Sequence, residues 1–317
     1  MIPIDYLDEF VTECQTLGMT PHTIESYTSN LRLFFEYVEG ISYDQVKTPH
    51  LAKFLNYLRH EKEVRYRGST KKGCSKSTIK TYFSALISYY DFLEFSGKYD
   101  HNPVIRFRKR YLRHIKKDGG PENIRQLISV RDMAKLVYTT DDLTQRAVLI
   151  TLAKTGVRRH ELIALDLKDL NLNTGVIYLK PAAKRSNRIV FVDDEALSII
   201  KKYLNHRKNV SSKALFTSVQ GRRLNKNRVY EIVTRNAERL NYHNPEGLLI
   251  EKFTPHCCRH WFTTHLSRAG MSREFMQYLR GDVIHDAIDI YNHIDPEAVR
   301  LDYRTRAPQL KEALLFE

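Results

Sequence analysis

The stretch TPHCCRHWFTTHLSRAG, residues 254–270, decides how this chain is read. Thr254 is a favourable helix N-cap and Pro255 a favourable first helical residue, so a helix is expected from about 255 to 269. His256 and Arg259, three apart, then share one face in its first turn. A proton carrier beside a guanidinium that can fork around phosphate oxygens suits phosphoryl transfer. The plainer alternative is that His256 helps cap the helix and Arg259 makes a structural ion pair. His260, Trp261 and His265 read as packing or surface residues. Cys257 and Cys258 with His256 and His260 invite a metal reading. Adjacent helical ligands point about 100° apart, however, and no second Cys/His cluster completes a site, so no metal is expected.

Working outward, TGVRRHELIALDLKDL (155–170) reads as a glycine break, a helix and an exit. Helices are expected before it, near 130–138 and 144–154. VIYL (176–179) and RIVFV (188–192) are β-branched runs around the basic connection KPAAKRSN, which reads as a hairpin. Asp193-Asp194-Glu195 starts the next helix with acids at its N-terminus. Further helices are expected near 195–206, 225–240, 272–280 and 296–304. The second half is thus mostly helical with a small antiparallel sheet.

The first hundred residues read as short helices. One follows Pro21 and ends before Gly40, a second opens at Thr48-Pro49, and a third runs from about Ser77 to Gly97. Residues 61–76, EKEVRYRGSTKKGCSK, read as a basic surface loop. After Asn102-Pro103 comes IRFRKRYLRHIKK (105–117), then Asp118-Gly119-Gly120-Pro121. The predicted organisation is a helical unit over 1–104, a basic linker over 105–124 and a second unit over 125–317.

Composition agrees. A chain of 317 residues has a prior of two domains. Hydrophobic residues at 42% and charged residues at 28% describe an ordinary globular protein. No apolar run is long enough to span a membrane, and the acidic start MIPIDYLDEFVTE lacks a secretory pattern. Cys14, Cys74, Cys257 and Cys258 have no regular spacing, so a reducing, cytoplasmic setting is expected. The net charge of +14 points to a polyanionic partner. Lys76 at the end of that loop and Lys80 on the third helix, with Arg106, Arg108, Lys109, Arg110 and Arg113, are the candidate DNA contacts.

The 254–270 segment resembles the His-x-x-Arg box of the tyrosine recombinase/integrase family, T-P-H-x-x-R-H-x-F-x-T-x-L. The family's upstream box T-G-x-R-x-x-E-L is matched by TGVRRHEL (155–162). Its downstream G-H-x(8)-Y-x-H is matched in spacing by GDVIHDAIDIYNH (281–293). The pattern at 23–34 is similar to the family's core-binding domain. The resemblance covers most of the chain, is Xer-like, and has something of certain archaeal-type members at the last box. It implies a SAM-like helical core-binding domain and a mostly helical catalytic domain of the DNA breaking-rejoining fold.

Carried over by position, the resemblance makes Arg158 and Arg259 the phosphate clamps and His256 a proton-transfer partner. Tyr291 becomes the nucleophile and Glu161 a residue orienting the basic groups. The family's hairpin lysine falls on Lys184, with Lys180 and Arg185 as alternatives. Asp282 stands where the family has histidine, with His285 nearby. A carboxylate there cannot copy a histidine's donor role. The implied activity is site-specific recombination of duplex DNA through a 3′-phosphotyrosyl intermediate, with no cofactor, metal or ATP. It implies a tetramer on paired sites, with accessory DNA-bending proteins as possible partners and no membrane. A type IB topoisomerase, or a DNA-binding protein of the same fold without catalysis, are the alternatives. The apolar end ALLF (313–316) is expected to dock on its own domain or on a neighbouring protomer.

Overall fold

Thr20 and Pro21 start the first long helix as the sequence predicts: the Thr20 hydroxyl accepts from the Thr23 N–H, and proline fills the first turn. The computed structural model describes residues 4–66, 69–113, 124–181, 188–207, 210–282 and 294–315. The chain divides into two compact units, Met1–Asp118 and Gly119–Glu317.

The first unit contains α1 (Leu7–Thr16), α2 (Pro21–Tyr37), α3 (Thr48–Asn56), α4 (Lys76–Phe95) and α5 (Pro103–Tyr111). Its core is aromatic. Phe34 meets Phe54 edge-on at 5.1 Å between ring centres, and Phe83 stacks on Phe107 at 5.4 Å. The buried phenols are anchored on backbone: Tyr89 donates to the Asp5 carbonyl and Tyr90 to that of Tyr43.

Two expectations change here. The stretch read as a surface loop holds an antiparallel hairpin, β1 (Glu63–Tyr66) with β2 (Ser69–Lys72). Its apolar alternation is limited to Val64 and Tyr66, too short to register in the sequence. The stretch read as a linker from residue 105 opens as part of α5. Val104, Phe107 and Leu112 are buried in the first unit, at helical spacing hidden among the cations. Asn102 caps this helix, accepting from the Val104 N–H at 2.9 Å.

In the second unit α6 (Val130–Tyr138), α7 (Leu143–Thr155), α8 (Arg159–Ala164), α9 (Asp194–His206), α10 (Lys226–Arg239), α11 (Pro255–Arg268), α12 (Arg273–Arg280) and α13 (Pro296–Arg306) surround a two-stranded sheet. Strands β3 (Val176–Tyr178) and β4 (Ile189–Phe191) pair antiparallel, with Ile177 opposite Val190. Helix α7 is central: every residue from Ala147 to Thr155 is buried. It carries a lysine inside the core. The Lys154 ammonium sits 2.5 Å from Asp193, 2.6 Å from Glu195 and 2.6 Å from the Pro308 carbonyl. Residues 307–315 thus fold back on their own unit: Leu310 is buried, and the Leu310 and Lys311 N–H groups donate to Glu195. Among the described residues no helix is long and apolar enough to cross a membrane.

Candidate active site

The site forms where two helices end and two begin. Helix α7 ends at Gly156 in the left-handed region (φ 59°), and a Cβ there would collide with the Phe262 ring. This turn leaves the Gly156 carbonyl to accept from Arg259 Nη1 at 2.7 Å. Helix α12 ends likewise at Gly281 (φ 57°), where a Cβ would strike the Arg188 guanidinium. The Arg280 carbonyl there accepts from Arg259 Nη2 at 2.7 Å and from Arg158 Nη1 at 3.1 Å. The two guanidiniums therefore converge on one main-chain oxygen.

Glu161 supports them from beneath. It accepts the Arg158 N–H at 2.6 Å, closing the first turn of α8, and takes both arms of the Arg188 fork at 2.9 and 3.0 Å. Burial opposes its charge, but the Arg188 fork and the Arg158 N–H override that and hold the carboxyl at about 2. Arg188 also donates through Nε to the Leu279 carbonyl at 3.1 Å, tying β4 to the end of α12. Burial and the nearby Arg158 push Arg259 down to about 9, which leaves it charged at neutral pH.

His256 lies exposed in the first turn of α11. Partial loss of water around its ring, then Arg125, Arg259 and Arg158, push it down to about 4, so the free protein presents a neutral imidazole. Thr254 does begin α11, but its side chain makes no cap hydrogen bond. A cleft of about 460 Å³ opens here, lined by Arg158, Arg159, Lys226, Tyr230, His256 and Arg259 among others. Trp261 is buried and donates to the Ser129 carbonyl at 3.4 Å, while His265 lies against its ring.

Asp282 stands at the mouth of the arginine pair. Its Oδ1 is 3.6 Å from Arg259 Nη2 and 3.8 Å from Arg158 Nη2, and its Oδ2 is 3.1 Å from Arg280 Nε. These distances make it a counter-anion to three guanidiniums; only the Arg280 separation is within usual hydrogen-bond range. The Arg280 Nε meets no oxygen at hydrogen-bond geometry, so this contact is chiefly electrostatic.

The structure thus brings together Arg158, Glu161, His256, Arg259 and Asp282. Lys184, the alternative Arg185, His285 and Tyr291 lie outside the described residues. Lys180 is bound elsewhere, 2.7 Å from Asp166 and 3.7 Å from Asp169, with Arg223 sharing Asp166. Lys76 lies in the first turn of α4 and Lys80 one turn on, while Arg106, Arg108, Lys109, Arg110 and Arg113 are exposed on or just after α5. Among the described residues no group of three or more His, Cys, Asp or Glu could hold a metal ion. Cys257 and Cys258 are buried in the core, whereas His256 and His260 are exposed, so the four do not converge.

Sequence reasoning missed Arg188. Its one signal was a cation heading an otherwise apolar strand, where a buried guanidinium requires a carboxylate partner.

Residues 121–298 match the phage integrase family, and residues 6–94 match the phage integrase N-terminal SAM-like domain. The chain is 28% identical to a tyrosine recombinase XerC of Pelotomaculum thermopropionicum, over 96% of this chain and 99% of that protein. It is 24% identical to a tyrosine recombinase XerD of Listeria monocytogenes, over 96% and 98%. Among solved structures, the Tn1549 transposon integrase in complex with a circular intermediate DNA shares the fold, with a TM-score of 0.69 at 18% identity, covering 96% of this chain and 99% of that one. With two family matches in register with both units and a pair of arginines converging beside a histidine, the chain belongs to the phage integrase family, as a tyrosine recombinase of the Xer-like type.

Proposed function

We propose that the protein is a site-specific recombinase that cuts and rejoins duplex DNA, with Tyr291 as the nucleophile. The observation that carries this reading is the convergence of Arg158 and Arg259 on the Arg280 carbonyl beside a neutral His256. Two forks so fixed meet the non-bridging oxygens of a phosphodiester without rearranging as charge shifts in the transition state. XerC and XerD relatives, and DNA-bound structures of the fold such as the Tn1549 integrase and a lambda integrase dimer on a core site, support DNA as the substrate.

A phenol with an ordinary value near 10 needs its proton removed or its oxyanion stabilised before it can attack. In the proposed step the Tyr291 oxygen attacks phosphorus and the bond to the 5′-oxygen breaks. The 5′-oxygen takes a proton from Lys184, and neutral His256 is free to exchange the proton lost by the phenol. A 3′-phosphotyrosyl bond and a free 5′-hydroxyl result. Attack by that hydroxyl, or one from a second duplex, reverses the step, so the bond energy is conserved without ATP and fixed arginine charge serves where other enzymes place a metal. Exchange between two duplexes requires four such events, hence a tetramer on paired sites, acting in integration and excision of an element or in dimer resolution. Asp282 holds the arginine pair before DNA arrives and turns toward Arg280 when phosphate replaces it.

Trapping on nicked duplexes tests this. Wild-type protein should give a DNA adduct that survives denaturant, and Tyr291→Phe should give none. Wild-type protein that binds the duplex without forming an adduct would favour a DNA-binding protein without catalysis, a reading for which the position of Asp282 speaks.

A further inference from the structure

The described side chains of hairpin β1–β2 contribute little to the core of their own unit. Glu63, Thr70, Lys71 and Lys72 are exposed, and Val64 is half-buried. A two-stranded ribbon with so little apolar cover is marginal in water by itself. Its base is nonetheless fixed: the Gly73 N–H donates to the Lys62 carbonyl at 2.9 Å and the Cys74 N–H to the Leu58 carbonyl at 2.7 Å. The chain thus holds out an arm from a firm root, directly before α4.

The arm is strongly basic. Residues 63–72 carry four Lys/Arg against one Glu, a net charge of +3. Val64 pairs with Lys71 and Glu63 with Lys72, so the adjacent cations Lys71 and Lys72 leave the ribbon from opposite faces. A ribbon about 5 Å across its two strands and about 13 Å long fits the major groove of B-DNA, about 12 Å wide and 8.5 Å deep. Cations on both faces then meet phosphates on both groove walls. A polypeptide partner would call for an apolar face, and among its described side chains this ribbon offers only the half-buried Val64.

From this fit we infer that β1–β2 is a groove-entering arm, which stands in the major groove of the duplex and neutralises phosphates through Lys71 and Lys72. The inference rests on the proposed DNA-binding function and adds a DNA-contacting element to the first unit. Its contacts are to backbone, so it adds affinity and fixes register more than it selects sequence.

The test is the salt dependence of binding to one duplex by wild type and by a Lys71→Gln, Lys72→Gln double variant, with guanine-N7 methylation footprints of both complexes. Both lysines are exposed, so the variant should keep the wild-type melting temperature. The expected result is a log–log salt slope shallower by about 1.8, so that a rise from 50 to 200 mM salt costs the variant roughly tenfold less affinity than wild type. Major-groove guanines protected by wild type should become reactive. An unchanged slope overturns the inference, and so does a shallower slope with unchanged protection, which would place the lysines outside the groove. Wild type without salt-dependent duplex binding would instead sink the functional reading beneath it, and the arm with it.

Discussion

The two units solve the same packing problem with opposite materials. Among the described residues of the first unit, Asn102 is the one buried side chain that is neither aliphatic, aromatic nor cysteine, and the core is a cluster of phenylalanines, tyrosines and leucines. The second unit buries Lys154, Glu161, Arg188, Asp193, Arg207 and Arg259 among its apolar residues. Buried charge is costly unless it is paired or hydrogen-bonded, and each of these is: Arg207, for one, donates to the Leu215 carbonyl at 2.6 Å and the Ser212 carbonyl at 2.8 Å. Among its described residues the first unit buries no cation. The second gives up stability to hold guanidiniums in fixed positions inside the fold.

The single tryptophan, Trp261, is buried in the second unit, so its fluorescence follows that unit alone while circular dichroism follows both. The contrast breaks if core substitutions act alike on the two signals. Phe54→Ala should cost the first unit about 3–5 kcal/mol through its cavity and leave the Trp261 transition in place. Glu161→Ala should cost the second a similar 3–5 kcal/mol by stranding Arg188, and should move the Trp261 transition down.

A smaller effect sharpens the chemical side. Arg259→Ala should slow single-turnover cleavage of a nicked duplex about 10²–10³-fold while sparing DNA affinity. Arg259→Lys should recover little of that rate, because one ammonium cannot span the Gly156 and Arg280 carbonyls. Loss of binding as large as the loss of cleavage would contradict the assigned role.

The smallest effect is the titration of His256. In the folded protein it sits at about 4, against roughly 6.5 in an unfolded chain. Between those values the unfolded chain binds the additional proton, so this residue's contribution to stability rises with pH through that window and is lost as pH falls. Its imidazole NMR midpoint should lie near 4 and move up by about one pH unit when a phosphodiester enters the cleft. A midpoint that ignores the ligand would place His256 away from the phosphate.

The same contrast explains what could be read beforehand. Helices α2, α6 and α9 announce themselves through caps and apolar spacing, because local chemistry sets their limits. Arg158 and Arg259 were legible through motif resemblance, and Glu161 with them. Arg188 was not, since its partnership with Glu161 joins positions 27 residues apart and leaves no local trace. Helix α5 was hidden for a related reason: seven cations between 105 and 117 mask the buried positions Val104, Phe107 and Leu112. The docking of residues 307–315 depends on Lys154 and Glu195, more than a hundred positions upstream, so the sequence left its destination open.

The Arg158–Arg259 pair is held by main-chain oxygens, and this shapes its tolerance to mutation. No side-chain replacement deletes the carbonyls of Gly156 or Arg280, so an alanine scan of the cleft passes over the groups that aim both guanidiniums. The vulnerable positions are the glycines themselves, where any added carbon collides with Phe262 or Arg188. In a saturation library, two residues with no functional groups should therefore rank among the least replaceable, beside the arginines whose carbonyl partners they place.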